Sequence, residues 1–213
     1  MQMHSRIYIA TTNPGKLREF QEAAQTLGLA LDALPGMRTL APAIENGATF
    51  EENARIKAEY YSHYAPGDLV MAEDSGLAVD ALNGAPGVYS ARYAAVLECG
   101  VETHENSDDS SNNRALISQL ERLPAGIFAG KYVCTIALAQ NGKTLGTFTG
   151  EAEGELLTVP RGTQGFGYDP FFYFPALGRT FAELSVEQKR GYSHRGKAFR
   201  KFLEWYSAAQ TGL

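Results

Sequence analysis

Cysteine is nearly missing from this chain, with Cys99 and Cys134 the two in 213 residues. They stand far apart and outside any metal-ligand spacing, which excludes a disulfide scaffold or a cysteine-built metal site and points to reduced thiols in a cytosolic setting. Long apolar runs are missing too. Ahead of Thr11 only Ile7, Tyr8, Ile9 and Ala10 are apolar in succession, too few for a signal peptide, and no later run approaches a membrane span. A cytoplasmic chain with no membrane partner is therefore expected. An excess of positive charge is the third absence: 19 basic against 24 acidic residues leave a formal charge of -5. Such a surface has no general attraction for nucleic acid, so a phosphate-bearing ligand has to be held by a local basic cluster. Repeats, low-complexity tracts and linkers are not visible. What remains fits one large domain, or two lobes sharing a sheet.

The most informative stretch is Leu69-Val70-Met71-Ala72-Glu73-Asp74-Ser75-Gly76-Leu77-Ala78-Val79. Four apolar residues bounded by polar ones predict a short buried strand, with both acids at or just past its carboxyl end. In open sheets ligands bind at that end. Two neighbouring acids are costly to desolvate without a cation, a proton or a basic partner. The alternative is an ordinary Asp-Ser-Gly turn.

Around this stretch the chain reads as alternating strands and helices. Residues 7–10 predict a first strand, the loop Thr11-Thr12-Asn13-Pro14-Gly15-Lys16 follows, and a helix then carries Leu17, Phe20, Ala23, Ala24 and Leu27 on its apolar side. Strand, glycine-containing loop and helix aim backbone N–H groups at an anion, and Lys16, which opposes its own helix dipole, is explained by a phosphate beside it. The loop lacks the length and second glycine of a Walker A sequence, and a plain Asn-Pro-Gly turn accounts for it equally well. Residues 30–34 predict a weaker strand. Thr49 and Glu52 form a capping box, predicting a helix over residues 50–64, with Asn53 and Lys57 stacked at i and i+4. That pair suits phosphate oxygens or simply a solvated face, and Glu45 lies just upstream.

Further along, residues 79–82 predict the start of another strand, residues 98–113 a polar surface loop, and residues 112–123 a helix with Leu116, Leu120 and Leu123 inward. Asn141-Gly142 between two β-rich runs predicts a hairpin over residues 131–152, so the sheet is mixed. Ser185 and Gln188 cap a short helix bearing Lys189, and Ser193 precedes a terminal helix with Ala198, Phe202 and Trp205 inward. In Gln164-Gly165-Phe166-Gly167-Tyr168-Asp169-Pro170 the flanking glycines leave an aromatic ring open to a flat partner such as a nucleobase, or anchor a loop in a core. His194 and Arg195 at a helix start are cations opposing a dipole, matched by an anion, a carbonyl oxygen or water. An acid suited to a divalent cation, lysines and amides suited to phosphates and an aromatic suited to a base together describe a nucleotide-phosphate hydrolase using Mg²⁺.

Six blocks carry a resemblance: residues 11–16; Phe50 through Ala54 with Lys57; Asp74-Ser75-Gly76-Leu77; the Gly84 to Tyr93 segment; Phe166-Gly167-Tyr168-Asp169-Pro170; and Ser193-His194-Arg195-Gly196. In this order, from Ile7 to the terminal helix, they resemble the HAM1/RdgB family of inosine/xanthosine triphosphate pyrophosphatases. The resemblance implies an α/β fold: a long mixed central sheet flanked by helices, residues 1–213 forming one ITPase-like domain of two lobes with an active-site cleft between them, in a homodimer. It implies Mg²⁺-dependent hydrolysis of ITP, dITP or XTP to the monophosphate and pyrophosphate. By position, Asp74 is implied as general base and metal ligand and Lys57 as a catalytic charge, with Glu45 and Glu73 the other metal-site carboxylates. Thr11, Thr12, Asn13, Pro14, Gly15, Lys16, Asn53, Lys57 and Ser75 are implied to hold the triphosphate. Phe166, Gly167, Tyr168, Asp169, Lys189, His194 and Arg195 are implied to hold sugar and base. Glu73 departs from the aspartate of many relatives. Two other readings are a Maf-type pyrophosphatase for modified nucleotides, which the Ser-His-Arg-Gly block disfavours, and a nucleotide-binding regulator without catalysis, which Asp74 disfavours.

Overall fold

A computed structural model describes residues 6–25, 28–100 and 106–211. Seven strands form one mixed sheet in the order β2-β1-β3-β4-β5-β6-β7. These are β1 (Ile7–Ile9), β2 (Leu31–Ala33), β3 (Leu69–Val79), β4 (Phe128–Gln140), β5 (Lys143–Leu156), β6 (Phe172–Phe174) and β7 (Arg179–Thr180). β1 pairs in parallel with both β2 and β3, whereas β6 pairs antiparallel with β5 and β7. Among the described residues six α-helices accompany them: α1 (Pro14–Gln25), α2 (Phe50–Ser62), α3 (Tyr93–Cys99), α4 (Asp109–Leu120), α5 (Val186–Tyr192) and α6 (His194–Thr211). The chain divides into two compact units, one from the described residues of 1–74, 134–150 and 194–213, the other from those of 75–133 and 151–193.

In the first unit the strand alternation sorts side chains into two cores. Ile7, Ile9, Leu69, Met71, Cys134, Ile136 and Leu138 pack with Phe20 of α1 and Ala198, Phe199 and Phe202 of α6. The intervening residues Tyr8, Ala10, Val70, Ala72, Ala137 and Ala139 pack with Ala54, Ala58 and Tyr61 of α2. Successive residues on a strand face opposite ways, so α1 and α6 cover one face and α2 the other. Gly150 of β5 lies directly under α6, where an added Cβ would strike the carbonyl oxygen of His194 and the amide nitrogen of Ala198. The second unit has its own core, with Leu77, Tyr93, Leu116, Leu120, Phe172 and Phe181 at its centre.

Local signals set many boundaries. Both capping boxes form, at Thr49/Glu52 of α2 and Ser185/Gln188 of α5. β4 and β5 are joined by Asn141 and Gly142, with φ of 51° and 78°, the left-handed pair that a two-residue hairpin turn requires. Two expectations are corrected. The strand does not stop at the acids: β3 runs unbroken for 11 residues, and residues 80–82 form a 3-10 turn rather than a new strand. α4 begins three residues ahead of the predicted start because Asp108 caps it, its carboxylate accepting from the Ser111 amide at 2.9 Å. The helix therefore occupies part of the expected 98–113 loop, as does the end of α3; residues 101–105 of that stretch, and Leu27, lie outside the described residues.

Gly76 shows how closely β3 is approached. A Cβ there would collide with Ser90 Oγ and stand 2.7 Å from the Gly87 carbonyl oxygen. The Ser90 hydroxyl donates to that carbonyl at 2.6 Å and accepts from the Leu77 amide at 2.9 Å, so it has no easy retreat. Gly76→Ala is expected to cost about 1–3 kcal/mol of stability, the usual penalty of overpacking. Urea unfolding measures it, and a change below about 0.5 kcal/mol would refute the claim.

Candidate active site

β1 feeds β2 through α1, while α2 leads back to β3 on the other side of β1. Because α1 and α2 lie on opposite faces, the carboxyl ends of β1 and β3 flank the point where the winding reverses, the usual ligand position in such sheets. β3 pairs with β1 only through Met71, whose carbonyl accepts from the Ala10 amide at 2.8 Å. Glu73 and Asp74 come two and three residues later. They thus sit beyond the parallel pairing although the strand itself continues.

Strand alternation then separates the two acids. Glu73 shares the parity of Leu69 and Met71 and faces α1 and α6; it lies 2.5 Å from Lys16 Nζ and 3.7 Å from an Arg195 guanidinium nitrogen. Arg195 also donates to Glu19 at 2.6 Å, and the Cys134 thiol donates to Glu73 at 3.4 Å. Burial opposes the Glu73 charge, but Lys16, Arg195 and Lys57 outweigh it and hold the carboxyl well below the usual range. Arg195 is correspondingly raised: burial is again outweighed, here by Glu19 and Glu73. Burial, with the Glu73 carboxylate beside it, pushes the Cys134 thiol up, so it stays protonated.

Asp74 faces α2. Its Oδ1 accepts from Lys57 Nζ at 2.8 Å and its Oδ2 from the Asn53 amide at 3.4 Å. Glu45 reaches the same ammonium at 2.7 Å. Asn53 is itself oriented by the Gly47 amide, which donates to its Oδ1 at 2.8 Å. Burial raises the Asp74 carboxyl above its ordinary value, Lys57 and Lys16 working against that and Glu45 adding to it. For Lys57 the balance runs the other way: burial is overcome by Asp74, Glu45 and Glu73, and the amine stays charged. The result is a buried carboxyl raised above its ordinary value beside a fixed cation.

The loop after β1 caps α1 with its own side chain. Asn13 Oδ1 accepts from the amides of Gly15 and Lys16 at 2.8 and 3.1 Å, and Thr11 Oγ1 from the Asn13 amide at 3.2 Å. Those amides are satisfied internally, and the Lys16 ammonium has found Glu73 rather than needing a phosphate to explain it. Pro14 and Gly15 occupy the first turn of α1. Thr12 is exposed on the same loop.

Of the residues expected to hold sugar and base, Phe166, Gly167, Tyr168, Asp169 and Lys189 lie in the second unit, while His194 and Arg195 belong to the first. Lys189, from the last turn of α5, donates to Asp169 Oδ2 at 2.6 Å and lies 5.0 Å from the centroid of the Phe166 ring. The same Asp169 oxygen accepts from the Phe166 amide at 3.0 Å. Tyr168 donates its hydroxyl to the Ser90 carbonyl at 2.7 Å, and burial, with Tyr93 and Asp109 adding to it, pushes that hydroxyl up so that it remains a donor. Ser75 is the first residue of this unit on β3. His194 is buried at the start of α6, in the first unit, next to Arg195. Sequence reasoning missed Asp109 and Asn113, which reach Gly167 from α4; Asn113 fell inside the expected helix and Asp109 ahead of it, where the Asp108 cap marks the start, but nothing local pointed either side chain at Gly167. A cavity of about 680 Å³ lies between α4 and residues 158–171, with Phe166, Asn113 and Phe171 in its wall.

Residues 7–205 match the Ham1 family. A protein of Acidobacterium capsulatum named dITP/XTP pyrophosphatase is 45% identical over 197 residues, 92% of this chain and 96% of the relative. One of Thermus thermophilus with the same name is 42% identical over 201 residues, 94% and 91% of the two chains. Among solved structures, a HAM1 protein from Coxiella burnetii superposes with a TM-score of 0.81 at 35% identity, covering 95% of this chain and 98% of that one. The Staphylococcus aureus Ham1 protein gives 0.79 at 35% identity, covering 96% and 100%.

Proposed function

Because this chain belongs to the Ham1 family, we propose that it hydrolyses non-canonical purine nucleoside triphosphates, namely ITP, dITP and XTP, to the monophosphate and pyrophosphate. The observation that carries the reading is Asp74, a buried carboxylate of raised basicity held 2.8 Å from Lys57 where the winding of the sheet reverses. It serves as general base for the attacking water. Lys57 and Lys16 draw charge from the phosphorus, and Asn53 and Ser75 hold phosphate oxygens.

Magnesium is proposed from the donor set. Glu45 and Asp74 converge on one cation, the Lys57 ammonium, and Mg²⁺ is commonly held by one or two carboxylates, completed by substrate oxygens and water. Among the described residues no group of three or more His, Cys, Asp and Glu side chains is placed to hold an ion. When bound, it supplies neutralisation of the developing phosphate charge. Glu73 joins that set only by exchanging Lys16 and Arg195 for the ion.

Phe166 offers its ring to the purine, and Tyr168, Asp169, Lys189, His194 and Arg195 are proposed to hold sugar and base. Donors aimed at the purine 6-oxygen are left unpaired by adenine, which discriminates against ATP. The protein is further proposed to work as a cytoplasmic homodimer with no nucleic-acid or membrane partner; no described helix is long and apolar enough to cross a membrane.

Product analysis with ITP, XTP, GTP and ATP in the presence of Mg²⁺ tests the reading. Inosine monophosphate and pyrophosphate are expected from ITP, with ATP turned over at least about 100-fold less efficiently, as expected where buried polar groups are left unpaired. Orthophosphate as the product, or ATP handled as well as ITP, would overturn it.

A further inference from the structure

We propose that Asp109 and Asn113 of α4 are positioning residues for the nucleobase, acting through the backbone of Gly167; this rests on the reading of Phe166 as the base platform. The Gly167 amide donates to Asp109 Oδ2 at 2.7 Å, and its carbonyl accepts from Asn113 Nδ2 at 3.1 Å. Both polar backbone groups of one loop residue are thus held from a single helix. The two side chains are four residues apart, on one face of α4, which is the spacing that lets them grip the same residue.

The grip matters because of what Gly167 connects. It follows Phe166 directly, and its φ of 62° is a conformation glycine enters freely, so the residue itself imposes little restraint on the loop. On the Phe166 side the chain is held by Asp169, which accepts from the Phe166 amide, and by Lys189 against the ring. On the other side the restraint comes from α4. That helix is well anchored: Leu116 and Leu120 are fully buried, and Asn112 donates to the Ala91 and Ser107 carbonyls while accepting from the Ala94 amide. Asn113 Oδ1 is buried without a hydrogen-bond partner among the described residues. An amide that leaves its oxygen unmatched while its nitrogen holds Gly167 is poorly explained as a group satisfying itself, and well explained as a tether for the loop.

Neither side chain is assigned contact with the reacting phosphates, so their loss is expected in base affinity rather than in chemistry. Asp109→Ala and Asn113→Ala are expected to raise KM for ITP about fivefold to tenfold, the scale of one or two hydrogen bonds, with kcat changed less than about twofold. Inorganic tripolyphosphate, as a competitive inhibitor carrying no base, is expected to keep its inhibition constant. Asp109→Asn retains an acceptor oxygen and is expected to restore a near-native KM. Hydrogen exchange across residues 165–169 is expected to speed up in both alanine variants and to stay native-like in Asp109→Asn. The proposal falls if exchange and KM are unchanged in the alanine variants, if Asp109→Asn behaves like Asp109→Ala, or if the tripolyphosphate constant rises in step with KM. Absence of pyrophosphate release from ITP by the native chain would defeat the proposed function instead, and the exchange comparison alone would still decide whether α4 restrains the loop.

Discussion

Asp74→Asn is expected to lower kcat for ITP hydrolysis by about 1,000-fold or more, combining loss of a general base with loss of a carboxylate for the cation. The substitution keeps the shape of the side chain and an oxygen for Lys57, and Lys57 retains Glu45 at 2.7 Å. The fold is therefore expected to survive, so the loss belongs to chemistry. Steady-state rates alongside thermal melting make the comparison. Activity within tenfold of native in a folded variant would show that some other group accepts the proton.

Glu73→Ala is expected to act on stability instead. Glu73 is 5% exposed, its carboxylate stands between Lys16 and Arg195, and Arg195 is 3% exposed. Removing one member of a buried ionic cluster strands the others, at a cost of about 3–5 kcal/mol. Glu19 still meets Arg195, so the lower part of that range is the better expectation. Against a total stability of about 5–15 kcal/mol for a domain, the unfolding midpoint in urea has to fall visibly. A loss below about 1 kcal/mol would mean that Lys16 and Arg195 relax to water or to Glu19 without difficulty.

The features legible in the sequence were those written locally. A serine or threonine three residues before a glutamate or glutamine can exchange backbone hydrogen bonds with it at a helix start, and Thr49 and Ser185 both do so. Asn141-Gly142 is similarly self-sufficient, since its left-handed backbone is a property of the two residues themselves. The acids of β3 misled for the complementary reason. An apolar run that ends in Glu-Asp looks finished, but whether a strand continues depends on what its neighbours offer, and here Lys16 and Arg195 on one face and Lys57 and Asn53 on the other supply partners for both carboxylates. Those partners come from helices distant in sequence. The same limit hid Asp109 and Asn113, whose partner Gly167 is more than fifty residues away.

The alternating placement of Glu73 and Asp74 also constrains how such a strand can change length. One residue added between Leu69 and Ala72, with the pairing upstream held, would turn each acid toward the other's helices, handing Asp74 to the arginine side and Glu73 to α2. Two added residues would restore the assignment. A change of even length thus keeps each acid on its own face and one of odd length does not, a counting rule imposed by the pleat.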